Sequence, residues 1–327
     1  MIIYNKNSLN FSIDSFGKPY TISMDPKVMR KDKINITTHG HTDHTPRKVT
    51  CTMMISSDIT RKLVEHRLQK SLLSKEKFAN DYIKISLKDA GHCLGSKTVL
   101  VENKESGLKT LYTGDYNTNT KKYCGTAKPI KCHNLIVDST YGSPKYSFPD
   151  YSKTVKEFVD YLKDNQDKKI AIVTYSFGKP QEISHILNSR KIPFSVDENI
   201  SSINKKINLK YQYNKPDSNI ILTRKKIPGY KNISLSGHAV NRSFSYTNKF
   251  DKAFAISDHT DFQTGIDFVK NCEPENVYTL FRYKQTFAAE LRRILGINAV
   301  PLESGQHIIQ NYFINKESRK NKKIKKS

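Results

Sequence analysis

No segment of the 327-residue sequence approaches the roughly 18 consecutive apolar residues that a membrane-spanning helix needs. The first residues, MIIYNKNSLNFSID, also lack the apolar run of a secretory signal peptide. Cysteine is scarce: there are five residues, an odd number, and no pair has the C-x-x-C spacing of a thiolate zinc site. These absences argue against a membrane protein and against a disulfide framework. We expect a soluble, intracellular protein of the cytoplasm, where thiols stay reduced.

Acidic residues are few relative to basic ones. The chain has 55 Lys and Arg against 31 Asp and Glu, a formal net charge of +24. A lysine-biased genome would raise Lys, Ile and Asn together, but it does not explain why the acidic residues fail to keep pace. Because Lys and Arg release counterions when they neutralise phosphates, the charge favours a polyanionic partner. A generally solvated basic surface is the alternative.

Short β-like runs dominate the first half of the chain, and each ends in turn-forming or polar residues. One amphipathic helix interrupts them at 59–72, where Ser57 or Asp58 could cap it. The predicted strands are INITT at 34–38, YIKISL at 82–87, TVLVE at 98–102, TLYTGD at 110–115 and LIVDS at 135–139.

After residue 148 helices alternate with strands, which predicts a parallel sheet. Residues 199–218 are polar and rich in Lys and Asn, so we expect a surface excursion there. The last residues, 316–327, form a basic low-complexity tail that we expect to be disordered. The elements expected in this half are helices at 151–165, 179–189, 262–271 and 284–295, and strands at KIAIVTYS, NIILT, ISLSG, AFAIS and VYTLF.

The segment THGHTDHTP at 38–46 carries His39, His41, Asp43 and His44 directly after an apolar run. Three of the ten histidines fall within six residues, which makes a polar surface loop a poor explanation. Imidazole and carboxylate together suit zinc or a similar divalent ion. Because alternate residues of a loop can face different points, we predict that His39 and His41 bind one metal ion and that Asp43 and His44 bind a second.

Two further groups complete the predicted metal site. AGHCLGS supplies His92 and YTGDYN supplies Asp115, each at the end of a predicted strand. Alone, each would be an ordinary histidine or turn aspartate. Together they give three histidines on one ion, Asp43 and His44 on the other, and Asp115 as a bridge. Two such ions would lower the pKa of a shared water and bind phosphoryl oxygens, which predicts phosphodiester hydrolysis by a metal-activated hydroxide.

The order H-x-H-x-D-H, G-H and G-D resembles the metallo-β-lactamase superfamily. The segments IVDSTYGSPKY, YSFGKPQE, SLSGHA and SDHTDF resemble its β-CASP nuclease group, most of all the ligase-associated and messenger-RNA 3′-end-processing-factor-like exonucleases of bacteria and archaea. The likeness runs from about residue 10 to 303. It implies an αββα metallo-β-lactamase sandwich with an inserted β-CASP α/β cap domain. The implied division is hydrolase domain at 1–148 and 246–315, cap domain at 149–245 and tail at 316–327.

The resemblance also implies roles for individual residues. His259, in SDHTD, corresponds to a histidine thought to protonate the leaving oxygen, and Asp138 to the acidic residue that orients it. Gly178 and Lys179 lie between a predicted strand and helix and could bind phosphate, although a plain strand–helix turn explains them equally well. His238 stands where relatives more often have an aromatic residue, and we expect it to be structural.

The sequence departs from the group at one ligand position. Relatives carry a histidine and a glycine after a late strand, whereas this chain has Phe281 and Arg282. We therefore expect two zinc ions, with the second held weakly and manganese as an alternative, and Arg282 as a phosphate contact. DNA-acting members of the wider group carry an apolar residue at this position, so the resemblance favours DNA as the substrate.

We predict a metal-dependent, exonuclease-like phosphodiesterase that acts on RNA or DNA, in RNA processing or DNA end repair. The first alternative is a non-catalytic nucleic-acid-binding subunit of a processing or repair complex. The second is a metallo-hydrolase of small molecules.

Overall fold

The computed structural model describes residues 2–5, 8–119, 123–210, 215, 217–241, 243–304 and 307–308. The predicted tail at 316–327 lies outside these residues. No helix in the described ranges is both long and apolar enough to cross a lipid bilayer.

Strands dominate the first half of the described chain, and helices are interspersed with strands in the second half. The helices are α1 (Asp58–Leu68), α2 (Tyr151–Asp164), α3 (Lys179–Ser189), α4 (Glu198–Lys206), α5 (Phe244–Thr247), α6 (Phe262–Cys272) and α7 (Lys284–Leu295), with a 3-10 turn at Gly237–Val240. The strands are β1 (Ile2–Asn5), β2 (Ser8–Ser15), β3 (Lys18–Met24), β4 (Val28–Met29), β5 (Ile34–Ile36), β6 (Lys48–Val49), β7 (Met53–Ile55), β8 (Leu73–Lys75), β9 (Lys77–Ala79), β10 (Ile83–Asp89), β11 (Lys97–Asn103), β12 (Lys109–Tyr112), β13 (Asn134–Asp138), β14 (Ile170–Val173), β15 (Ser195–Val196), β16 (Ile220–Thr223), β17 (Lys231–Leu235), β18 (Lys252–Phe254), β19 (Asn276–Leu280), β20 (Asn298–Pro301) and β21 (His307–Ile308).

Two mixed sheets share one apolar core. The first has the order β21-β1-β2-β3-β5-β7-β8 and the second β20-β19-β13-β12-β11-β10-β9. Side chains alternate across a strand, so Tyr112 and Ile136 face the core between the sheets while Leu111 and Leu135 pack with α6 and α7 on the other face. Helix α1 packs on the outer side of the first sheet through Val64. The mixed α/β class predicted from the sequence is confirmed.

A third sheet, of five strands, is parallel throughout. Its order is β15-β16-β14-β17-β18, and α2 and α3 contribute to its apolar core. This confirms the parallel sheet that the helix–strand rhythm predicts. Strand β18 pairs with β17 at Ile233↔Lys252, so this sheet continues beyond residue 245, and the domain boundary expected there stays a prediction.

Residues 199–218 do not form the expected surface excursion throughout. Asp197 caps α4, whose residue Ile200 is fully buried. Ile203 and Ile207 pack against Leu63 of α1 and Phe177, close to the histidine-rich loop. The apolar spacing of a helix is present here, but the intervening Lys and Asn residues obscure it.

Strand direction brings the candidate ligands to one edge of the second sheet. Strands β12, β13 and β19 are parallel neighbours, and β10 runs in the same direction because two antiparallel pairings separate it from β12. Their carboxyl ends therefore lie together. His92 follows β10, Asp115 follows β12, and Asp138 is the last residue of β13. Phe281 follows β19.

Candidate metal centre and active site

His39, His41, His92 and Asp115 converge on one point. His41 Nδ1 is 3.1 Å from His39 Nε2 and 3.0 Å from His92 Nε2. Asp115 Oδ2 is 3.6 Å from the Nε2 atoms of both His39 and His92. Ligands about 2.0–2.1 Å from a tetrahedral zinc ion stand ~3.3 Å apart, so these spacings fit a single cation. Three imidazoles and one carboxylate are also a donor set that zinc accepts.

The outward ring nitrogen of each of these histidines meets a hydrogen-bond partner, which orients the other nitrogen towards the centre. Such outer contacts fix the tautomer and the direction of a metal-binding imidazole. The partners are Thr38 Oγ1 at 3.1 Å from His39 Nδ1, the Phe177 carbonyl at 3.0 Å from His41 Nε2, and the Asp258 carbonyl at 3.1 Å from His92 Nδ1.

The electrostatic environment keeps these rings neutral. Burial lowers the pKa of His39 and of His92 well below the ordinary histidine value, and neighbouring imidazoles lower both further. Burial also lowers the pKa of His41. A histidine must be neutral to bind a cation, so the three rings are in the metal-binding state at neutral pH.

His44 is held by an acidic residue that the sequence analysis did not identify. Its Nδ1 lies 2.8 Å from Asp25 Oδ2, and its Nε2 lies 3.4 Å from Asp115 Oδ1. Burial opposes protonation, but Asp115 and Asp25 raise the pKa of His44 to about 10. Asp25 also accepts hydrogen bonds from the Thr38 backbone at 2.7 Å and from Tyr112 at 3.0 Å, so it fixes the histidine-rich loop to the core.

The second predicted metal position is less enclosed than the first. The Asp43 side chain is 78% exposed, and its carboxylate is 3.9 Å from His44 Nε2. The ring of Phe281 packs 5.6 Å from the His44 ring and supplies no donor atom. The backbone φ of Phe281 is 73°, which is uncommon for a residue other than glycine. Asp43 and His44 as ligands of a second ion therefore stay a prediction.

His259 and Asp138 form a hydrogen-bonded pair beside the first centre. His259 Nδ1 is 2.7 Å from Asp138 Oδ2, and His259 Nε2 is 3.9 Å from Asp115 Oδ2. Thr140 donates from its backbone and hydroxyl to the other Asp138 oxygen, at 2.7 and 2.6 Å. Burial works against the charged ring, but Asp138 and Asp115 raise the pKa of His259 to about 9. The ring is thus protonated at neutral pH, with Nε2 facing the centre.

Asn117 joins the loop of His259 to the loop that follows Asp115. Its side-chain amide donates to the carbonyls of Ser257 and His259, at 3.2 and 3.1 Å. Asp115, Asp138 and His259 also form a second group of potential ligand atoms that lie within 4.8 Å of one another.

Gly178 and Lys179 lie at the start of α3, close to the centre. Gly178 has φ 96°, and a Cβ there would stand 2.9 Å from His41 Nε2, so only glycine fits. Its N–H donates to Gln181 at 2.7 Å. Lys179 is buried, and its ammonium lies 3.0 Å from Glu182 and 2.7 Å from Asp258. Both groups therefore have partners within the protein, and their contact with phosphate stays a prediction that would require an exchange of partners.

Arg282 is exposed beside this centre. Its Nη1 lies 3.1 Å from His238 Nε2, and its guanidinium lies 5.5 Å from the Tyr283 ring centroid. The phosphate contact predicted for Arg282 is untested by these distances. His238 is more than a packing residue, because it contacts this arginine.

Comparisons with known proteins give several relatives. The chain is 25% identical over 286 residues to a "Probable DNA ligase" of Opitutus terrae. The aligned segment covers 80% of this chain and 28% of the relative. It is 27% identical over 182 residues to an "RNase J-like protein" of Methanocaldococcus jannaschii. That aligned segment covers 47% of this chain and 43% of the relative. A "DNA cross-link repair 1A protein" of Mus musculus is 27% identical over 168 residues, covering 47% and 16%. No family model matches the chain.

These relatives are all members of the β-CASP group of the metallo-β-lactamase superfamily, and the chain is similar to that group. The chain spans less than half the length of each of these relatives.

One solved structure has a similar fold along nearly all of this chain's length. It is a protein of unknown function from Enterococcus faecalis V583, with a TM-score of 0.65, 11% sequence identity, and coverage of 95% of this chain and 98% of that chain. At this identity the likeness concerns the fold alone.

Proposed function

We propose that this protein is a metal-dependent nuclease that hydrolyses phosphodiester bonds of RNA or DNA. The observation that carries the proposal is the convergence of His39, His41, His92 and Asp115 beside the His259–Asp138 pair. The relatives are named for RNase, DNA ligase and DNA cross-link repair proteins, which supports nucleic acid as the substrate. The net charge of +24 favours the same partner.

The donor set supports zinc as the resident cation, with manganese as the alternative. His39, His41, His92 and Asp115 would hold the first ion, and Asp43 and His44 would join Asp115 at a weaker second one. A divalent cation bound by these residues would supply Lewis acidity, which would lower the pKa of water and neutralise charge on phosphoryl oxygens. We propose Phe281→His as the test of the second position, since it should strengthen uptake of a second ion and leave the first unchanged.

The protein's own residues handle the proton of the leaving group. Protonated His259 donates from Nε2 to the oxygen that departs from phosphorus, and Asp138 holds the ring in the required tautomer through Nδ1. Arg282, and Lys179 after an exchange of partners, would bind neighbouring phosphates. In this proposal Asp115 remains ionised beside His259, which favours the charged imidazole.

The architecture proposed for this function is an αββα hydrolase domain with an inserted β-CASP cap domain. The hydrolase domain would comprise 1–148 and the chain from about 257 to 315, and the cap would span 149 to about 256, since β18 continues the small sheet. The metal centre would lie beneath the cap, because His41 contacts the Phe177 carbonyl that follows β14.

Digestion of end-labelled single- and double-stranded RNA and DNA, in chelator and then with zinc or manganese, tests the proposal. We expect cleavage of at least one substrate that requires the metal and is lost in Asp115→Asn. Asp81→Asn, an exposed aspartate at the far end of β10, is the matched control and should cleave as the wild type does. Cleavage that is insensitive to both chelator and Asp115→Asn would refute the proposal.

The second candidate is a non-catalytic nucleic-acid-binding subunit of a processing or repair complex. Phe281, which supplies no donor atom beside His44, favours it. Binding of labelled nucleic acid without cleavage in either metal would support this candidate over the nuclease.

A further inference from the structure

A cavity of about 510 Å³ is lined by His238, which the Tyr141 ring separates from the proposed proton donor His259. The centroid of the Tyr141 ring lies 6.0 Å from the His259 ring and 5.2 Å from the His238 ring. Pockets of about 300–1,000 Å³ enclose ligands of nucleotide size. The residues that line the cavity are Lys145, Tyr146, His238, Val240, Asn241, Phe244 and Arg282.

The lining is basic and contains no carboxylate. Lys145 lies 5.3 Å from the Tyr146 ring centroid and 4.9 Å from the Tyr283 ring centroid, and Arg282 lies over Tyr283. Within the described ranges neither cation forms an ion pair with an acidic side chain. Lys179, by contrast, is paired with two carboxylates. Within the described residues, the positive charge of this cavity is therefore not neutralised by a carboxylate of the protein.

A chain of hydrogen bonds positions Arg282 at the cavity wall. Because arginine can only donate, His238 Nε2 accepts from Arg282 at 3.1 Å. His238 Nδ1 then carries the proton and donates to the Tyr146 hydroxyl at 3.2 Å. Tyr146 in turn donates to the Tyr283 hydroxyl, 3.0 Å away. Burial and this bond raise the pKa of Tyr146, and the bond lowers the pKa of Tyr283. His238, which we expected to be structural only, orients the guanidinium.

Aromatic surface completes the cavity. Phe244 is half-buried, and its ring lies nearly parallel to the His238 ring, with centroids 6.2 Å apart and an interplanar angle of 22°. Stacking of bases on such rings, combined with a basic groove for phosphates, is how proteins hold single-stranded nucleic acid.

We propose that this cavity is a nucleotide subsite for the single-stranded part of the substrate, in which Lys145 and Arg282 bind a phosphate and Phe244 stacks on the base. The inference rests on the proposed nuclease function and assigns its substrate class: a strand whose nucleotide next to the scissile bond is unpaired. A base-paired nucleotide would remain stacked in its duplex and would not enter a cavity lined in this way.

Binding of a short fluorescein-labelled single-stranded oligodeoxynucleotide, followed by fluorescence anisotropy in chelator between about 50 and 200 mM salt, tests the subsite. We expect Lys145→Ala and Arg282→Ala each to weaken binding and to lower the slope of log affinity against log salt by roughly 0.7. Phe244→Leu, which keeps apolar volume but removes the ring, should weaken binding by about 5-fold or more without changing the slope. Lys104→Ala, at the opposite end of the second sheet, and Tyr246→Ala, exposed on the same short helix as Phe244, are the matched controls.

Unchanged slopes in Lys145→Ala and Arg282→Ala, or wild-type affinity in Phe244→Leu, would overturn the subsite. The subsite would also be overturned if Phe244→Leu weakened the binding of poly-glutamate as much as it weakens the binding of the oligonucleotide. A peptide has no base that could stack on the Phe244 ring. Cleavage by the wild type is measured in parallel to separate the two claims. If the variants lose binding but the wild type cleaves no substrate, only the nuclease function is refuted. If the wild type cleaves but the variants bind as it does, only the subsite is refuted.

Discussion

Replacement of His259 should separate proton donation from every other role of this ring. Its Nδ1 bonds to Asp138 at 2.7 Å, and its Nε2 faces Asp115 at 3.9 Å. A positioned general acid contributes typically about 10²- to 10⁴-fold to rate. His259→Ala should therefore lower kcat on an oligonucleotide by that range while KM changes little, because the ring acts on the departing oxygen and not on substrate binding.

The dependence on pH follows from the same pair. Asp138 and Asp115 raise the pKa of His259 to about 9 against the effect of burial, so the acid form persists at neutral pH and is lost as pH rises through that value. Asp138→Asn removes the first of these charges and must lower the pKa of His259. The alkaline limb of the kcat profile should accordingly move to lower pH, and kcat at neutral pH should fall.

The assay compares two substrates. The leaving group of an oligonucleotide is a sugar alkoxide, which needs a proton as it departs. The leaving group of bis(p-nitrophenyl) phosphate is a phenolate, which needs none. His259→Ala should be severely impaired on the first and nearly normal on the second. His66→Ala, a histidine on α1 away from the centre, is the matched control. Equal losses on the two substrates would refute proton donation by His259, and an unshifted alkaline limb in Asp138→Asn would refute the role given to the pair.

Three further substitutions probe the framework around the metal centre. Asp25→Asn should weaken metal binding by roughly 10- to 100-fold, the usual cost of losing an outer partner of a ligand, and wild-type affinity on metal titration would contradict this. Gly178→Ala places a Cβ 2.9 Å from His41 Nε2 at φ 96°, so metal affinity and cleavage should both fall, and an unchanged affinity would show that the loop has room to move. Lys179→Ala leaves two carboxylates without their buried cation and should destabilise the fold by about 3–5 kcal/mol in urea unfolding, whereas a loss of cleavage at unchanged stability would favour direct phosphate binding.

Helix bounds could be predicted well where a residue that starts or ends helices stands at the terminus. Helices α3 and α7 were predicted with the bounds that the structure has, because Pro180 marks the first turn of α3 and Gly296 the end of α7. Helix α1 is capped by Ser57, one of the two residues that the sequence offers as its cap, the other being Asp58. The N-terminal hairpin of β2 and β3 was not predicted, since its polar residues hide the alternation of Phe11 and Ile13.

The candidate metal centre could be anticipated because each of its proposed ligands follows a strand. His92 and Asp115 come two residues or more after strands whose carboxyl ends meet at one edge of the sheet. The convergence itself depended on the likeness to a known family, since a lone G-H or G-D segment has many uses.

Contacts formed only by tertiary structure were missed. Asp25 follows β3 in what reads as an ordinary turn, and its bond to His44 arises because β3 and β5 are parallel neighbours. Asp258 was passed over in favour of His259, although its carbonyl holds His92 and its carboxylate holds Lys179. No spacing in the sequence connects these positions, because the partners lie on loops that follow different strands.

The central claim is that His39, His41, His92 and Asp115 bind a divalent cation. Calorimetric titration of zinc into chelator-stripped protein measures this directly, with His41→Ala as the test variant and His66→Ala as its control. The wild type and the control should take up zinc tightly, and His41→Ala should lose more affinity than the roughly 10- to 100-fold that an outer partner costs. Zinc uptake that is absent from the folded wild type, or identical in His41→Ala, would contradict the account.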